Sequence, residues 1–376
     1  MAETSFVDFY RSAGISPVSQ DISDLGRHYR RRDSLYRTLG IPPAFVRGRS
    51  VLEFGPGSGH NALFTASLEP ARYVLVDGNP KGVADTAGML RRHHPGFHNW
   101  TVVESLFHDF QTEERFDLVL AEGCIPHQAD PLSVLHGLAR FVKPGGVFVI
   151  TTVSAVSYLA EIIRRLARTA RIHPLAPPDR QLAVLRPMLR PHLETLKGRS
   201  RPVDDWILDN VVQPLHRTAL LPMPAAVAAL HREFDAYGAS PDILTDLRWY
   251  KDIADEDRGF NVLATNCYLR RTLNLLDYRA TFADHDADFG TELESACESV
   301  WDAMRDVEAQ AEPDIRGLLP ALEGVAALIG PRAPDTAASL EEGLSWLRDG
   351  APDQALPRFA GWWGRGQQYL SLIRRG

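Results

Sequence analysis

Lysine is almost missing from this chain: four of its 41 basic residues, at positions 81, 143, 197 and 251, are lysine, and arginine supplies the rest. The formal net charge of -7 leaves no global positive field of the kind that nucleic-acid binding uses, so no nucleic-acid partner is expected. The local runs Arg30-Arg31-Arg32 and Arg164-Arg165 read as solvated helix faces. Cysteine is equally scarce. Cys124, Cys267 and Cys297 stand too far apart for a disulfide framework or a zinc site, which suits a reducing compartment. No run of about eighteen apolar residues occurs, so a membrane-spanning segment is not expected. Met1-Ala2-Glu3-Thr4-Ser5 has neither the basic nor the apolar region of a secretory leader, and the location read from the sequence is cytoplasmic. At 376 residues the chain exceeds one ordinary domain.

What is present starts at Val51-Leu52-Glu53-Phe54-Gly55-Pro56-Gly57-Ser58-Gly59-His60-Asn61, a buried-strand pattern that breaks into three alternating glycines and then a helix. Alternating glycines let the backbone turn tightly and approach a ligand, and the following helix offers unpaired N–H groups. Dinucleotide-binding loops space their glycines as G-x-G-x-x-G and present pyrophosphate to the helix. Here Glu53 precedes glycines at 55, 57 and 59, and a carboxylate in that place repels pyrophosphate and suits a cationic or amine-bearing ligand.

In this stretch the chain resembles the class I S-adenosylmethionine (SAM)-dependent methyltransferases, whose first motif is an acidic residue followed by alternating glycines. Further motifs follow in the family's order. Arg72-Tyr73-Val74-Leu75-Val76-Asp77 reads as a second strand ending in a carboxylate for ribose hydroxyls. Trp100-Thr101-Val102-Val103 reads as a third, Arg115-Phe116-Asp117-Leu118-Val119-Leu120 as a fourth, and Lys143-Pro144-Gly145-Gly146 as the turn into a fifth. The resemblance implies an α/β fold with a seven-stranded, mostly parallel sheet, helices on both faces, and SAM as cofactor. It also implies a pocket built from Glu53, Gly55, Pro56, Gly57, Gly59 and Asn61, with Asp77, Gly78 and Asn79 at the ribose. Glu104, Ser105 and Leu106 would take the adenine, and Glu122 and Gly123 would face the methyl side. An N-terminal helix often closes over SAM in this family, which makes Tyr10, Tyr29 and Arg30 candidates, although Tyr29 also reads as a core-facing side chain.

The rest of the chain reads as decoration around that domain. Ile22, Leu25, Tyr29, Tyr36 and Leu39 recur at helical spacing within an N-terminal cap, residues 1–48, that ends at Gly40-Ile41-Pro42-Pro43. The SAM-binding core is assigned to 49–157. A helical insertion over 158–231, punctuated by prolines at 174, 177, 178, 187 and 191, is placed to act as a substrate lid. Residues 232–275 are expected to complete the sheet, with strand six at Glu233–Gly238 and strand seven at Asn261–Leu269. Residues 276–376 read as all-helical, ending in a tetratricopeptide-like pair, Leu340–Leu347 and Ala355–Ile373, that docks on the catalytic domain or on a second copy, with a homodimer preferred.

SAM carries an activated methyl, so the reading is an enzyme that moves it to a polar small or medium acceptor, with a sugar or natural-product hydroxyl favoured. His127, in the loop after strand four, is the candidate base; in its other reading it shapes the pocket. Trp249, Tyr250 and Lys251 suit a polar, ring-shaped acceptor and equally a surface loop, and Trp206 and His216 are candidate pocket residues or ordinary packing. No metal is expected. The alternative reading is a SAM- or nucleoside-binding module without turnover, acting in regulation or assembly.

Overall fold

Short runs of β-branched and aromatic residues between turn formers become the strands β1 (Ser50–Phe54), β2 (Arg72–Asp77), β3 (Trp100–Glu104), β4 (Phe116–Ala121), β5 (Val142–Thr152), β6 (Phe234–Ser240) and β7 (Gln368–Arg374). They were located in a computed structural model, which describes residues 9, 20–215, 218, 220–254 and 258–376. Among the described residues they form one seven-stranded sheet in the order β3-β2-β1-β4-β5-β7-β6. β1 to β5 run parallel, and β7 lies antiparallel between β5 and β6. β1 is buried on both sides, as a central parallel strand must be. The chain divides into two compact units, one made of Met1–Thr152, Thr218–Tyr268 and Gln367–Gly376, the other of Val153–Arg217 and Leu269–Gly366.

In the first unit the helix Leu25–Thr38 lays Tyr36 and the following Leu39 into a core with Val51, Leu63, Phe64, Tyr73, Leu118 and Val149. Asp24 caps its start by accepting from the Arg27 amide at 2.8 Å. On the opposite face of β1, Phe54 makes edge contacts with Phe107 and Phe110 and a tilted one with Phe141.

The seventh strand is not where the sequence placed it. Asn261–Leu269 lies inside a helix, Phe260–Arg271, because its buried residues Ala264, Cys267 and Tyr268 recur at three and four while Val262 stays exposed. The strand comes from Gln368–Arg374, which was expected to be helical. Glycines at 361, 364 and 366 interrupt the helical run before it, and Leu370 and Leu372 then alternate inward. The Ser371 hydroxyl donates to the Leu39 carbonyl at 2.8 Å, and Arg374 donates to that of Val142 at 2.8 Å. The tetratricopeptide-like pair is therefore absent; Pro334–Arg348 packs instead with Leu319–Ile329.

In the second unit the helix Pro178–Glu194 runs through Pro187 and Pro191 rather than breaking, with both prolines on the exposed side where solvent can serve the carbonyls they leave free. Two of the arginines read as solvated, Arg164 and Arg165, are buried here. On the helix Leu159–Arg171, Arg164 donates to the Phe359, Ala360 and Trp362 carbonyls and stacks 3.5 Å above the Trp363 ring. Arg165 grips Glu308 with two nitrogens, at 2.7 and 3.0 Å, Arg168 donates to the same carboxylate, and Arg305 reaches it at 2.7 Å. No helix of the described residues is long and apolar enough to cross a membrane.

Burial alone would raise the Glu308 carboxyl; Arg165 and Arg168 outweigh that and pull it down to about 2. A carboxyl depressed in the folded state contributes stability above its unfolded value of 4.5, and that contribution is lost as pH falls towards 2. Glu308→Gln should thus cost about 3 kcal/mol or more at neutral pH, since it strands buried guanidinium charge. Urea denaturation of both proteins should show the gap closing through the acid range.

Candidate functional site

The turn after β1 is shaped by left-handed backbone at Gly55, Gly57 and Gly59, with φ of 69°, 58° and 78°. A side chain would not fit at two of them: a Cβ on Gly55 would lie 2.9 Å from that of Cys124, and one on Gly59 would lie 2.7 Å from the Thr86 Cα. Asp77, at the end of β2, clamps this loop. Its carboxylate accepts from the Gly57 amide at 3.0 Å and from the Asn79 amide at 2.8 Å, and Thr86 donates to the Gly57 carbonyl at 3.0 Å. Ser105 in turn donates its amide to the Asp77 carbonyl at 3.0 Å, tying the end of β3 to that of β2.

Three carboxylates gather at these strand ends. Glu53 faces the same side of the sheet as Val51, which is in register with Leu118, while Glu53 itself is in register with Leu120; Glu122, two residues on, continues that side. The Tyr73 hydroxyl donates to Glu53, and Arg32 places its two terminal nitrogens on the two Glu122 oxygens at 2.7 and 2.6 Å. Burial pushes the Glu53 carboxyl up to about 7, with Glu122 adding to the push and Tyr73 and Arg32 opposing it. Burial likewise raises Asp77 to about 6, against the pull of its two amide donors. Glu53, Asp77, Asn79, Arg32, Cys124 and His127 are all buried.

The remaining site candidates fall in several places. Pro56 is buried in the loop, and Asn61 accepts from the Gln20 amide at 3.3 Å. Gly123 donates its amide to the Thr151 hydroxyl at 2.8 Å. Gly78 abuts Leu106, whose side chain is partly exposed, and Glu104 and Ser105 line a cavity of about 460 Å³ with Val74, Val103 and Phe110. Tyr29 turns to other partners: its hydroxyl lies 2.8 Å from His94 Nε2 and donates to the Leu63 carbonyl at 3.3 Å. Arg30 is exposed. His127 adopts a left-handed φ of 77°. Trp249 and Tyr250 are exposed, with the Lys251 ammonium 5.1 and 5.8 Å from their ring centres. Trp206, in the second unit, is buried edge-on against Trp363. Tyr10 and His216 lie outside the described residues.

The sequence reading missed Arg32. A signal for it was present: positions 25, 29, 32, 36 and 39 follow one helical stripe, so an arginine at 32 must be buried and paired.

A family model described as "Methyltransferase domain" matches residues 46–183, which span β1 to β5 and the loops just described. Residues 46–183 thus carry a methyltransferase domain. Among curated proteins, a probable protein arginine N-methyltransferase 3 of Oryza sativa subsp. japonica is 29% identical over 170 residues, covering 40% of this chain and 26% of that protein. A ubiquinone biosynthesis O-methyltransferase of Aeromonas salmonicida is 30% identical over 123 residues, covering 31% of this chain and 49% of its own. The match thus spans between a quarter and half of those relatives. Among solved structures, N-methyltransferase NodS from Bradyrhizobium japonicum WM9 is 19% identical, with a TM-score of 0.32 over 39% of this chain and 74% of that one. PKMT2 from Rickettsia typhi is 12% identical, with a TM-score of 0.43 over 60% of this chain and 46% of that one.

The methyltransferase domain's own residues fit SAM. Two of the three loop glycines leave no room for a side chain, the buried Asn79 Nδ2 lacks a partner, and among the described residues three carboxylates face a single guanidinium, a balance that favours a ligand bearing sulfonium and ammonium charges. SAM affinity should therefore weaken as pH is lowered through about 7 and then about 6, because Glu53 and then Asp77 take up protons and stop attracting a cation. Binding near neutral pH should release protons. Calorimetry in buffers of differing ionisation enthalpy measures both, and an affinity that ignores pH would place these carboxylates outside the pocket.

Proposed function

We propose that this chain is a SAM-dependent methyltransferase that methylates a hydroxyl on a polar, ring-bearing small molecule. When bound, SAM supplies a methyl group already activated by its sulfonium. Asp77 is suited to hold the ribose hydroxyls, since each of its oxygens has a lone pair beyond the one given to a backbone amide. Glu53 supplies a carboxylate for positive charge, and the buried setting strengthens that attraction by excluding water.

The observation that carries the hydroxyl reading is His127. A non-glycine residue at a φ of 77° stores strain of about 1 kcal/mol or more, and here that backbone presents a buried imidazole in the loop after β4. A hydroxyl nucleophile gains from a base that removes its proton as it attacks, and imidazole titrates in the useful range. Trp249, Tyr250 and Lys251 support a ring-bearing acceptor, offering two exposed aromatic faces and an ammonium donor close together.

Incubation with SAM and a panel of sugars, phenols and nucleosides should yield S-adenosylhomocysteine with at least one hydroxyl acceptor. His127→Gln should slow turnover by about 10²–10⁴-fold while leaving SAM affinity unchanged. Full activity in that variant would remove the base, and a panel turned over only at amines would replace the hydroxyl acceptor.

A further inference from the structure

We propose that Arg32 is a positioning residue: by clamping Glu122 it keeps Glu53 able to ionise, and so sets the charge that the site presents to SAM. The last clause rests on the cofactor reading above; the clamp itself does not.

Glu53 and Glu122 lie on one side of neighbouring parallel strands, Glu53 buried and Glu122 with its side chain largely covered. Two like charges so placed each make the other harder to ionise. Arg32 reaches in from the helix Leu25–Thr38 and spends both terminal nitrogens on Glu122 in a bidentate pair, with each side chain 7% exposed. That pairing brings a positive charge against Glu122 and so offsets part of the pressure that Glu122 exerts on Glu53. Every other group facing Glu53 leaves this task undone. The Tyr73 hydroxyl offers one donor, while Asp77 and the buried Cys124 thiol bring no positive charge. The Tyr36 hydroxyl is taken by Thr65 at 2.8 Å, and its ring lies 5.3 Å from the Arg32 guanidinium, so it supports the clamp rather than the carboxylate. Among the described residues, Arg32 is thus the positive charge that acts on Glu53 from the elements packed against it.

A role limited to fastening the N-terminal helix predicts lost stability and nothing more. The clamp predicts a set of opposed shifts. The full chain, labelled with ¹³C at its glutamate carboxyls, is titrated without ligand, and the Glu53 signal is assigned by its disappearance in Glu53→Gln. Arg32→Met should raise Glu53's proton affinity by about tenfold or more, and Glu122→Gln should lower it by a similar factor. The double variant, which removes both charges and keeps the site neutral, should return it towards the wild-type value. The pH dependence of SAM binding by calorimetry should shift in the same order. Equal Glu53 midpoints in all four proteins would overturn the clamp whatever SAM does. If the midpoints move as stated but the wild-type chain binds no SAM, the clamp stands and the cofactor reading fails. Should Arg32→Met not fold, the opposed behaviour of Glu122→Gln and the double variant still decides the matter.

Discussion

Three carboxylates crowded at the ends of β1, β2 and β4, with one guanidinium among them, are the constraint on which the first unit is organised. Left to themselves they would repel one another and resist burial. Each is answered by a different device. Asp77 is held by backbone amides of the loop it shapes, Glu53 by the Tyr73 hydroxyl, and Glu122 by Arg32. The solutions are partial: burial still holds the Glu53 and Asp77 carboxyls above their ordinary range.

Much of this was legible in the sequence because it is local. Strand-forming runs, alternating glycines and a carboxylate at a strand end each follow from neighbours a few positions away, and β1 to β5 formed where those patterns lay. What escaped was decided by distant partners. The helical stripe marks position 32 as buried, yet nothing local names the carboxylate ninety positions along that Arg32 faces, and Arg164 and Arg165 were misread because their partners near residues 360 and 308 are more distant still. Gln368–Arg374 failed similarly, since its alternation is short and only β5 and β6 on either side make it a strand. Asn261–Leu269 shows the converse: an apolar run of that length suits helix or strand, and burial at three and four decides.

The shortage of lysine acquires a structural use in both units. Arg32 on Glu122 and Arg165 on Glu308 are two-nitrogen grips on a carboxylate, and Arg164 spreads one side chain over three carbonyls with its guanidinium 3.5 Å from the centre of an indole ring. An ammonium on a flexible stem has neither the fork nor the plane for this. These buried positions are therefore closed to lysine even though the charge would be the same.

The origin of β7 has a consequence for how the chain is made. Among the described residues β6 pairs only with β7, and β7 is spelled by residues 368–374, so β6 has no sheet neighbour until more than 120 further residues have been made. β1 to β5 can pair long before that, and the helices of the second unit are complete by residue 366. Synthesis thus passes through a stage in which β5 offers an open edge and β6 is unpaired, the state in which nascent chains are most exposed to mispairing and most in need of a chaperone. Closing the sheet falls to seven residues that follow all six other strands in the chain.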